Sequence, residues 1–258
     1  MKALVLAAGF ATRLRPLTDR TPKPLLTVGG RTILDRMLDQ FRASGEIDEL
    51  ALVTNHAHHD AFALWRDRRH AEDPDLPIEI LDDGATTNET RLGAVRDLAL
   101  AVETLSLDAP LLVAAGDNLF DFDFRKFFDD HACNPRTLVL SYEEDDPARL
   151  TRSGVATLAD DDSRILALVE KPEHPASRWV CPPIYLFEAD ALEELPAFLA
   201  YGADTDAPGN FVAWLAERGL VWAHRMNGAR YDVGNVASYE AAPAWLASRD
   251  EQARKPPQ

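Results

Sequence analysis

The feature that most constrains this chain is an apolar run near its start that breaks at a glycine and continues into a basic loop. Residues 3–8 are all apolar, as in a buried strand, and Gly9 follows them directly. Arg13, Arg15 and Lys23 come shortly afterwards. A glycine turn after a strand brings backbone N–H groups close to phosphate oxygens, and basic side chains add charge there. The segment therefore predicts a triphosphate-binding loop at the start of an α/β domain.

The composition narrows the classes of partner. The chain has 258 residues, of which 46% are hydrophobic, and a formal net charge of −16 at pH 7. This charge argues against a general affinity for nucleic acid or an anionic membrane, so an anionic substrate has to meet local positive charge. Two cysteines are too few for a disulfide framework, and no apolar segment approaches the length of a membrane span. We expect a cytoplasmic protein that binds neither nucleic acid nor membrane, and whether it is a monomer or a homo-oligomer stays open.

Strand and helix patterns alternate in the first half of the chain. Apolar runs predict strands over 2–8, 49–54, 78–81 and 111–115, and helical periodicity predicts helices over 32–44, around 62–65 and over 91–104. This order favours an α/β fold with a Rossmann-like, three-layer α/β/α architecture and a mixed, mainly parallel sheet. Ligands of such sheets bind beyond the carboxyl ends of the strands.

The second half reads as an antiparallel or mixed extension of that sheet. The patterns predict strands over 137–142, 154–158, 165–170, 179–187 and 221–226, and helices over 211–217 and 236–247. No repeat or proline-rich linker divides the chain, so we expect one domain over residues 1–245. The charged, proline-rich end predicts a frayed tail over 246–258.

Two aspartates are candidate magnesium ligands. Asp117 follows the predicted strand at 111–115, and Asp232 lies between an aromatic residue and a glycine near the last predicted helix. A carboxylate beside phosphate oxygens is a usual way to hold Mg²⁺ in proteins. Asp117 could equally belong to a Gly-Asp-Asn turn that ends a strand. The spacing in the sequence does not show whether the two side chains meet.

The N-terminal segment resembles the signature of the nucleotidyltransferases that make nucleoside-diphosphate sugars. That signature is L-A-A-G-x-G-T-R-L-x-P-L-T followed by P-K-P-L-L, and its strongly specified positions match here except one, where Ala11 replaces the second glycine. Residues 116–120 resemble the G-D-N-I-F segment of glucose-1-phosphate thymidylyltransferases, and residues 231–234 resemble their W-x-D-x-G segment. The resemblance spans residues 1 to about 245 and is closest to the short members that consist of a catalytic domain alone.

The resemblance implies both a reaction and a set of residues. The reaction joins a nucleoside triphosphate to a sugar 1-phosphate, yielding a nucleoside-diphosphate sugar and pyrophosphate, with Mg²⁺ as cofactor. It implies catalytic roles for Arg13, Lys23 and Asp117, and a metal site formed by Asp117 and Asp232. It also implies substrate-binding roles for a larger set: Ala8, Gly9, Thr12, Gly93, Asn118, Gly154, Glu170 and Lys171.

Several positions depart from the family or have a simpler explanation. Ser153 stands where the family has an aromatic residue, and Pro183 stands where it has a glycine, so no sugar identity follows. The segment that contains Gly93 could simply be a helix N-terminus capped by Thr87 or Asn88, and the Glu-Lys pair at 170–171 could be an exposed strand end. Residues 204–210 form either a substrate-covering loop or a turn into a helix.

Two further motifs suggest metal binding but have better alternatives. Asp121 and Asp123 form a D-x-D pattern, which we expect to start a helix instead. His56, His58 and His59 lack partners spaced for zinc, so solvated histidines are the expectation. Two other functions stay open: a cytidylyltransferase that acts on a non-sugar alcohol phosphate such as phosphocholine, and a non-catalytic sensor of nucleotide sugars.

Overall fold

The computed structural model describes residues 1–160, 162–226 and 228–253. The strands are β1 Lys2–Leu6, β2 Thr27–Val28, β3 Arg31–Thr32, β4 Glu49–Thr54, β5 Ile78–Asp82, β6 Leu111–Ala115, β7 Asn118–Asp121, β8 Leu138–Glu143, β9 Gly154–Leu158, β10 Ile165–Glu170, β11 Trp179–Cys181, β12 Ile184–Phe187, β13 Trp222–Arg225 and β14 Ala229–Asp232. The α-helices are α1 Ile33–Ser44, α2 His59–Glu72, α3 Ala94–Leu105, α4 Phe124–Cys133, α5 Pro147–Leu150, α6 Ala189–Leu192, α7 Leu195–Tyr201, α8 Gly209–Glu217 and α9 Val236–Ala253. Short 3₁₀ turns cover Thr12–Leu14, Lys23–Leu25, His56–His58 and Asn88–Thr90.

One large mixed sheet forms the centre of the molecule. Its strand order is β10-β9-β11-β8-β12-β6-β1-β4-β5, and β13 pairs in parallel with β8. Strands β1, β4, β5 and β6 run parallel, whereas β8 to β12 pair antiparallel with their neighbours. The predicted mixed α/β sheet, with its antiparallel or mixed second half, is confirmed.

Alternating side chains on β1 explain the three layers. Ala3 and Val5 pack on one face of the sheet with helices α1, α2 and α4. Leu4 and Leu6 pack on the other face with α3, α7 and α8. Since successive residues of a strand point to opposite faces, an entirely apolar strand must be covered on both sides. The continuous apolar run at the start of the chain is therefore the sequence signal for a central, doubly covered strand.

The structure corrects the prediction of one strand over 179–187. The segment forms two strands, β11 and β12, separated by Pro182 and Pro183. β11 pairs with β8 and β9, whereas β12 pairs with β6 and β8. Proline has no N–H to donate to the strand ladder, so the pair interrupts the pairing and lets the chain change partners.

The ends of other elements also differ from their predicted limits. β1 stops at Leu6, and α3 starts at Ala94, because Gly93 has φ +94° and cannot belong to a helix. Helix α9 continues to Ala253, where the sequence predicted a frayed tail over 246–258. Trp245 and Leu246 pack against a small apolar cluster and tie this helix to the domain. Residues 254–258 lie outside the described residues. No described helix is long and apolar enough to cross a membrane.

Candidate active site

The glycine turn after β1 depends on an alanine in a left-handed conformation. Ala11 has φ +46° and ψ +44°, the region that favours glycine. Its carbonyl accepts hydrogen bonds from the Leu14 N–H at 2.9 Å and the Thr18 hydroxyl at 3.0 Å. For alanine this left-handed conformation is about 1–2 kcal/mol less stable than the right-handed one. The loop therefore holds Ala11 in a left-handed backbone conformation that glycine would adopt at lower cost.

Lys23, Asp117 and Asp232 meet at one point beyond the ends of β1 and β6. The Nζ atom of Lys23 lies 2.8 Å from Oδ2 of Asp117 and 3.7 Å from Oδ1 of Asp232. The Lys23 side chain is only 10% exposed, whereas the aspartate side chains are 38% and 53% exposed. Strands β7 and β14 cause this meeting, because their antiparallel pairing places Asp232 opposite Asn118. The two aspartates that the sequence could not connect are therefore neighbours.

Asp117 remains a carboxylate in this environment. Partial burial acts to raise its pKa, but the ammonium of Lys23 and the guanidinium of Arg230 outweigh it and hold the pKa of Asp117 below its usual value. Its other oxygen, Oδ1, accepts a 2.6 Å hydrogen bond from the Asn118 amide. Asn118 in turn accepts a 2.7 Å hydrogen bond from Nε of Arg230. The site thus holds Asp117 charged and fixed in orientation.

The two aspartates fit a divalent cation shared with phosphate. Both carboxylates approach the same ammonium, so they can also approach one cation from the same side. Among the described residues, no group of three or more His, Cys, Asp or Glu side chains could hold a metal ion. Mg²⁺ suits such a set, because it is commonly bound by one or two carboxylates together with substrate phosphates and water.

Most of the predicted site residues line one cleft of about 620 Å³. Those that line it are Ala8, Gly9, Arg13, Gly93, Asp117, Asn118, Gly154, Glu170, Lys171 and Asp232. Lys23 lines an adjoining cavity of about 170 Å³, which shares Gly9, Arg13 and Asp117 with the cleft. Thr12 lines neither cavity. The cleft lies beyond the carboxyl ends of β1 and β6, as expected for a parallel α/β sheet.

Glu170 occupies the end of the cleft formed by β9 and β10. A Cβ atom added at Gly209 would lie 1.8 Å from its Oε1, and one added at Gly154 would lie 3.1 Å from it. Two glycines therefore make room for this carboxylate. Burial raises the pKa of Glu170, although Lys171 and Arg230 act in the opposite direction. Lys171 itself has φ +48°, a strained backbone conformation of the kind that concentrates at functional sites.

Residues around Gly93 anchor the loop over residues 204–208 to the start of α3. The Val95 N–H donates to the Thr205 carbonyl at 3.0 Å, and the guanidinium of Arg91 pairs with Asp206. Residues 204 and 206–208 line the cleft, and α8 begins at Gly209. The segment is thus both a wall of the cleft and the entry to a helix.

We expect Gly93→Ala to destabilise the protein more than Gly202→Ala does. Both glycines have positive φ, +94° and +79°, but an added Cβ would lie 2.7 Å from the Thr205 carbonyl oxygen at Gly93 and meet nothing within 4 Å at Gly202. The backbone strain costs about 1–3 kcal/mol at either position, and the contact adds to it only at Gly93. Urea unfolding of the two variants measures the difference in unfolding free energy. Equal losses would contradict the packing described for Gly93.

Sequence reasoning gave no role to Arg152, Arg230 or Asp97, which also line the cleft, and left Arg91 undecided. Arg152 directly precedes Ser153 and Arg230 lies two residues before Asp232, so proximity to a motif was their only signal. Asp97 is 5% exposed on α3, and its helical position beside apolar residues gave no indication of a cleft.

The two other candidate metal motifs have structural roles. Asp123 caps α4, its carboxylate accepting the Arg125 N–H at 3.1 Å, as expected for a helix start. Nδ1 of His56 lies 2.6 Å from Oδ2 of Asp82, and Nδ1 of His58 lies 3.2 Å from the amide nitrogen of Asn55. His58 is only 8% exposed, so it is not the solvated histidine that the sequence predicted. These contacts give Asp123, His56 and His58 partners within the protein.

Comparisons with known proteins find related sequences over nearly the whole chain. The sequence model described as nucleotidyl transferase matches residues 2–249. A UTP–glucose-1-phosphate uridylyltransferase of Synechocystis is 26% identical over 97% of the chain and 64% of its own length. The catalytic subunit beta of a Danio rerio mannose-1-phosphate guanylyltransferase is 29% identical over 93% of the chain and 62% of its own length. The chain thus spans under two thirds of the length of these relatives.

A solved structure shares the fold. A UDP-glucose pyrophosphorylase complexed with UDP-glucose superposes with a TM-score of 0.80, over 96% of this chain and 98% of that one, at 19% identity. The likeness therefore extends over nearly the whole of both chains and concerns the fold.

Proposed function

Because the chain belongs to the nucleotidyl transferase family, we propose that it joins a nucleoside triphosphate to a sugar 1-phosphate, giving a nucleoside-diphosphate sugar and pyrophosphate. The observation that carries the proposal is the meeting of Lys23, Asp117 and Asp232 beside the glycine turn. This group opens into the same cleft as Glu170 and Lys171. One cleft can therefore hold two phosphorylated substrates end to end.

The reaction needs positioning and charge neutralisation more than proton transfer. The nucleophile is a phosphate oxygen of the sugar 1-phosphate, which is already anionic near neutral pH because its second pKa is about 6. It bonds to the α-phosphorus as the bond from that phosphorus to the bridging α–β oxygen breaks, and pyrophosphate leaves with those electrons. No general base is required, and catalysis by such sites rests on orientation and electrostatics.

Asp117 and Asp232 would hold Mg²⁺ at the α-phosphate. Bound there, the ion would supply positive charge that polarises the phosphorus and neutralises the phosphate oxygens. The hydrogen bond from the Asn118 amide would keep the Asp117 carboxylate in place for this role. Lys23 lies beside both carboxylates and would neutralise charge that develops on the α-phosphate.

Arg13 and Lys171 would bind phosphate groups at the two ends of the substrate pair. Arg13 and the backbone N–H groups of the loop that contains Gly9 would bind the β- and γ-phosphates as they leave. Lys171 would bind the incoming phosphate near Glu170. Gly93 would allow close approach of the nucleobase. Thr12 does not line the cleft, and it would support substrate binding through the 3₁₀ turn Thr12–Leu14, of which it is the first residue.

Pyrophosphate release measures the proposed reaction directly. The assay would combine Mg²⁺ with each of ATP, GTP, CTP, UTP and dTTP, against a panel of sugar 1-phosphates and phosphocholine. We expect release that depends on one sugar 1-phosphate. Release with phosphocholine and CTP alone would show that the acceptor substrate is an alcohol phosphate and not a sugar 1-phosphate. Nucleotide binding without release across the panel would favour a sensor and contradict the proposed reaction.

A further inference from the structure

Arg230 is a cation of the cleft without an assigned role. It lies on β14 two residues before Asp232, is partly buried and lines the cleft. Its Nε donates to the Asn118 side chain at 2.7 Å. That bond fixes one edge of the guanidinium, and the group remains part of the wall that a substrate would contact.

Arg230 lies on the strand that carries one of the two candidate magnesium ligands. Asp232 follows it by two residues on β14, and both residues line the cleft. Glu170 and Lys171 line the same cleft. Arg230 therefore shares one cleft with the pair of aspartates and with the Glu-Lys pair at 170–171.

This position matches a requirement of the proposed reaction. In an in-line displacement the nucleophile approaches the α-phosphorus from the side opposite the leaving pyrophosphate. Arg13, which would bind the leaving pyrophosphate, lines both the cleft and the adjoining cavity that contains Lys23. Arg230 lines only the cleft, which also contains Glu170 and Lys171. The nucleophilic phosphate and the α-phosphate are both anions, so bringing them together requires a cation between them.

We propose that Arg230 binds the phosphate of the acceptor substrate, together with Lys171. The inference rests on the proposed function and names a further residue for it. A guanidinium suits the task because its fixed N–H groups can donate two parallel hydrogen bonds to a phosphate, which an ammonium cannot do. The alternative is a positioning role alone, in which Arg230 orients Asn118 and, through it, Asp117.

Steady-state kinetics of Arg230→Met, Arg230→Lys and Arg225→Met test the assignment. Arg225 lies on β13, is exposed, stacks over Trp179 and does not line the cleft. Arg225→Met is therefore the matched control, because it removes an arginine outside the cleft. We expect Arg230→Met to raise the acceptor KM by about 10–100-fold while changing the nucleotide KM less than about threefold. Arg230→Lys should recover part of the loss, and Arg225→Met should behave as wild type. Thermal unfolding would confirm that each variant is folded.

Two results would overturn the inference. An unchanged acceptor KM in Arg230→Met, with a higher Mg²⁺ requirement or nucleotide KM, would assign the residue to positioning through Asn118. Calorimetric titration with glucose 1-phosphate and mannose 1-phosphate needs no turnover, and equal affinities for wild type and Arg230→Met would also count against it. Wild-type protein that releases no pyrophosphate in any combination would contradict the proposed function instead, so the two failures are distinguishable.

Discussion

Replacing Asp117 with asparagine is expected to lower kcat by about 10²–10³-fold while the protein stays folded. The carboxylate lies 2.8 Å from the Lys23 ammonium and is held ionised, so the substitution removes one of the two negative charges that a cation would meet. The fold should persist, because the Asp117 side chain is 38% exposed and Lys23 keeps Asp232 as a partner at 3.7 Å. Pyrophosphate release at saturating substrates measures kcat, and circular dichroism checks the fold.

Asp121→Asn is the matched control for this substitution. Asp121 lies on the same strand, β7, but does not line the cleft. We expect wild-type turnover from it. Raising the Mg²⁺ concentration should recover part of the activity of Asp117→Asn if the loss lies in cation binding. Near wild-type turnover in Asp117→Asn would rule out the mechanism, and equal losses in the two variants would show a general effect of altering β7.

Replacing Asp97 with asparagine is expected to stabilise the protein, and by more at pH 8 than at pH 5. Asp97 is 5% exposed, and its carboxyl faces that of Asp83 without a cation. Burial and the nearby Asp83 raise the pKa of Asp97 to about 8. Asparagine has nearly the same shape and carries no charge at any pH, so it removes the cost of keeping a proton on this side chain.

The direction of the pH dependence follows from linkage. Below about pH 4 the folded and unfolded chains both hold the Asp97 proton, and the group contributes nothing. Between about pH 4 and 8 the unfolded chain releases the proton while the folded chain keeps it, so stability falls as the pH rises. The difference between a folded pKa of about 8 and an unfolded one of about 3.9 corresponds to a loss of at most about 6 kcal/mol above pH 8.

Urea unfolding at several pH values checks this prediction. The unfolding free energy of the wild type should fall from pH 5 to pH 8 by more than that of Asp97→Asn. Asp108→Asn, an exposed loop substitution, should keep the wild-type slope. The same slope in all three proteins would contradict a buried, protonated Asp97.

The sequence indicated which residues share the cleft best where they follow strands directly. The loop after β1 and Asp117 after β6 reach the cleft because parallel strands end at one edge of the sheet. The Glu-Lys pair at the end of β10 reaches it through the antiparallel pairing of β10 with β9, which places Glu170 opposite Gly154. The meeting of Asp117 with Asp232 was implied only by resemblance. It depends on the pairing of β7 with β14, which joins segments more than a hundred residues apart. No local pattern encodes a register of that kind.

Other features were missed because tertiary contacts decide them. The change of strand partners at Pro182 and Pro183 depends on where β6 and β9 lie. Two prolines within an apolar run did, however, indicate a break in the strand. Asp97 occupies a helix position that periodicity assigns to the core. Its proximity to Asp83 arises only in the folded chain, because Asp97 lies on α3 and Asp83 directly follows β5.

The left-handed backbone at Ala11 changes how a signature of this kind should be used in searches. What the loop requires at this position is a pair of torsion angles, +46° and +44°, and glycine is only the residue that adopts them at least cost. Asparagine and aspartate also visit this region, and alanine does so here, whereas β-branched residues are excluded from it. A pattern that insists on glycine would pass over chains that build the same turn. A pattern that rejects only valine, isoleucine and threonine would find them.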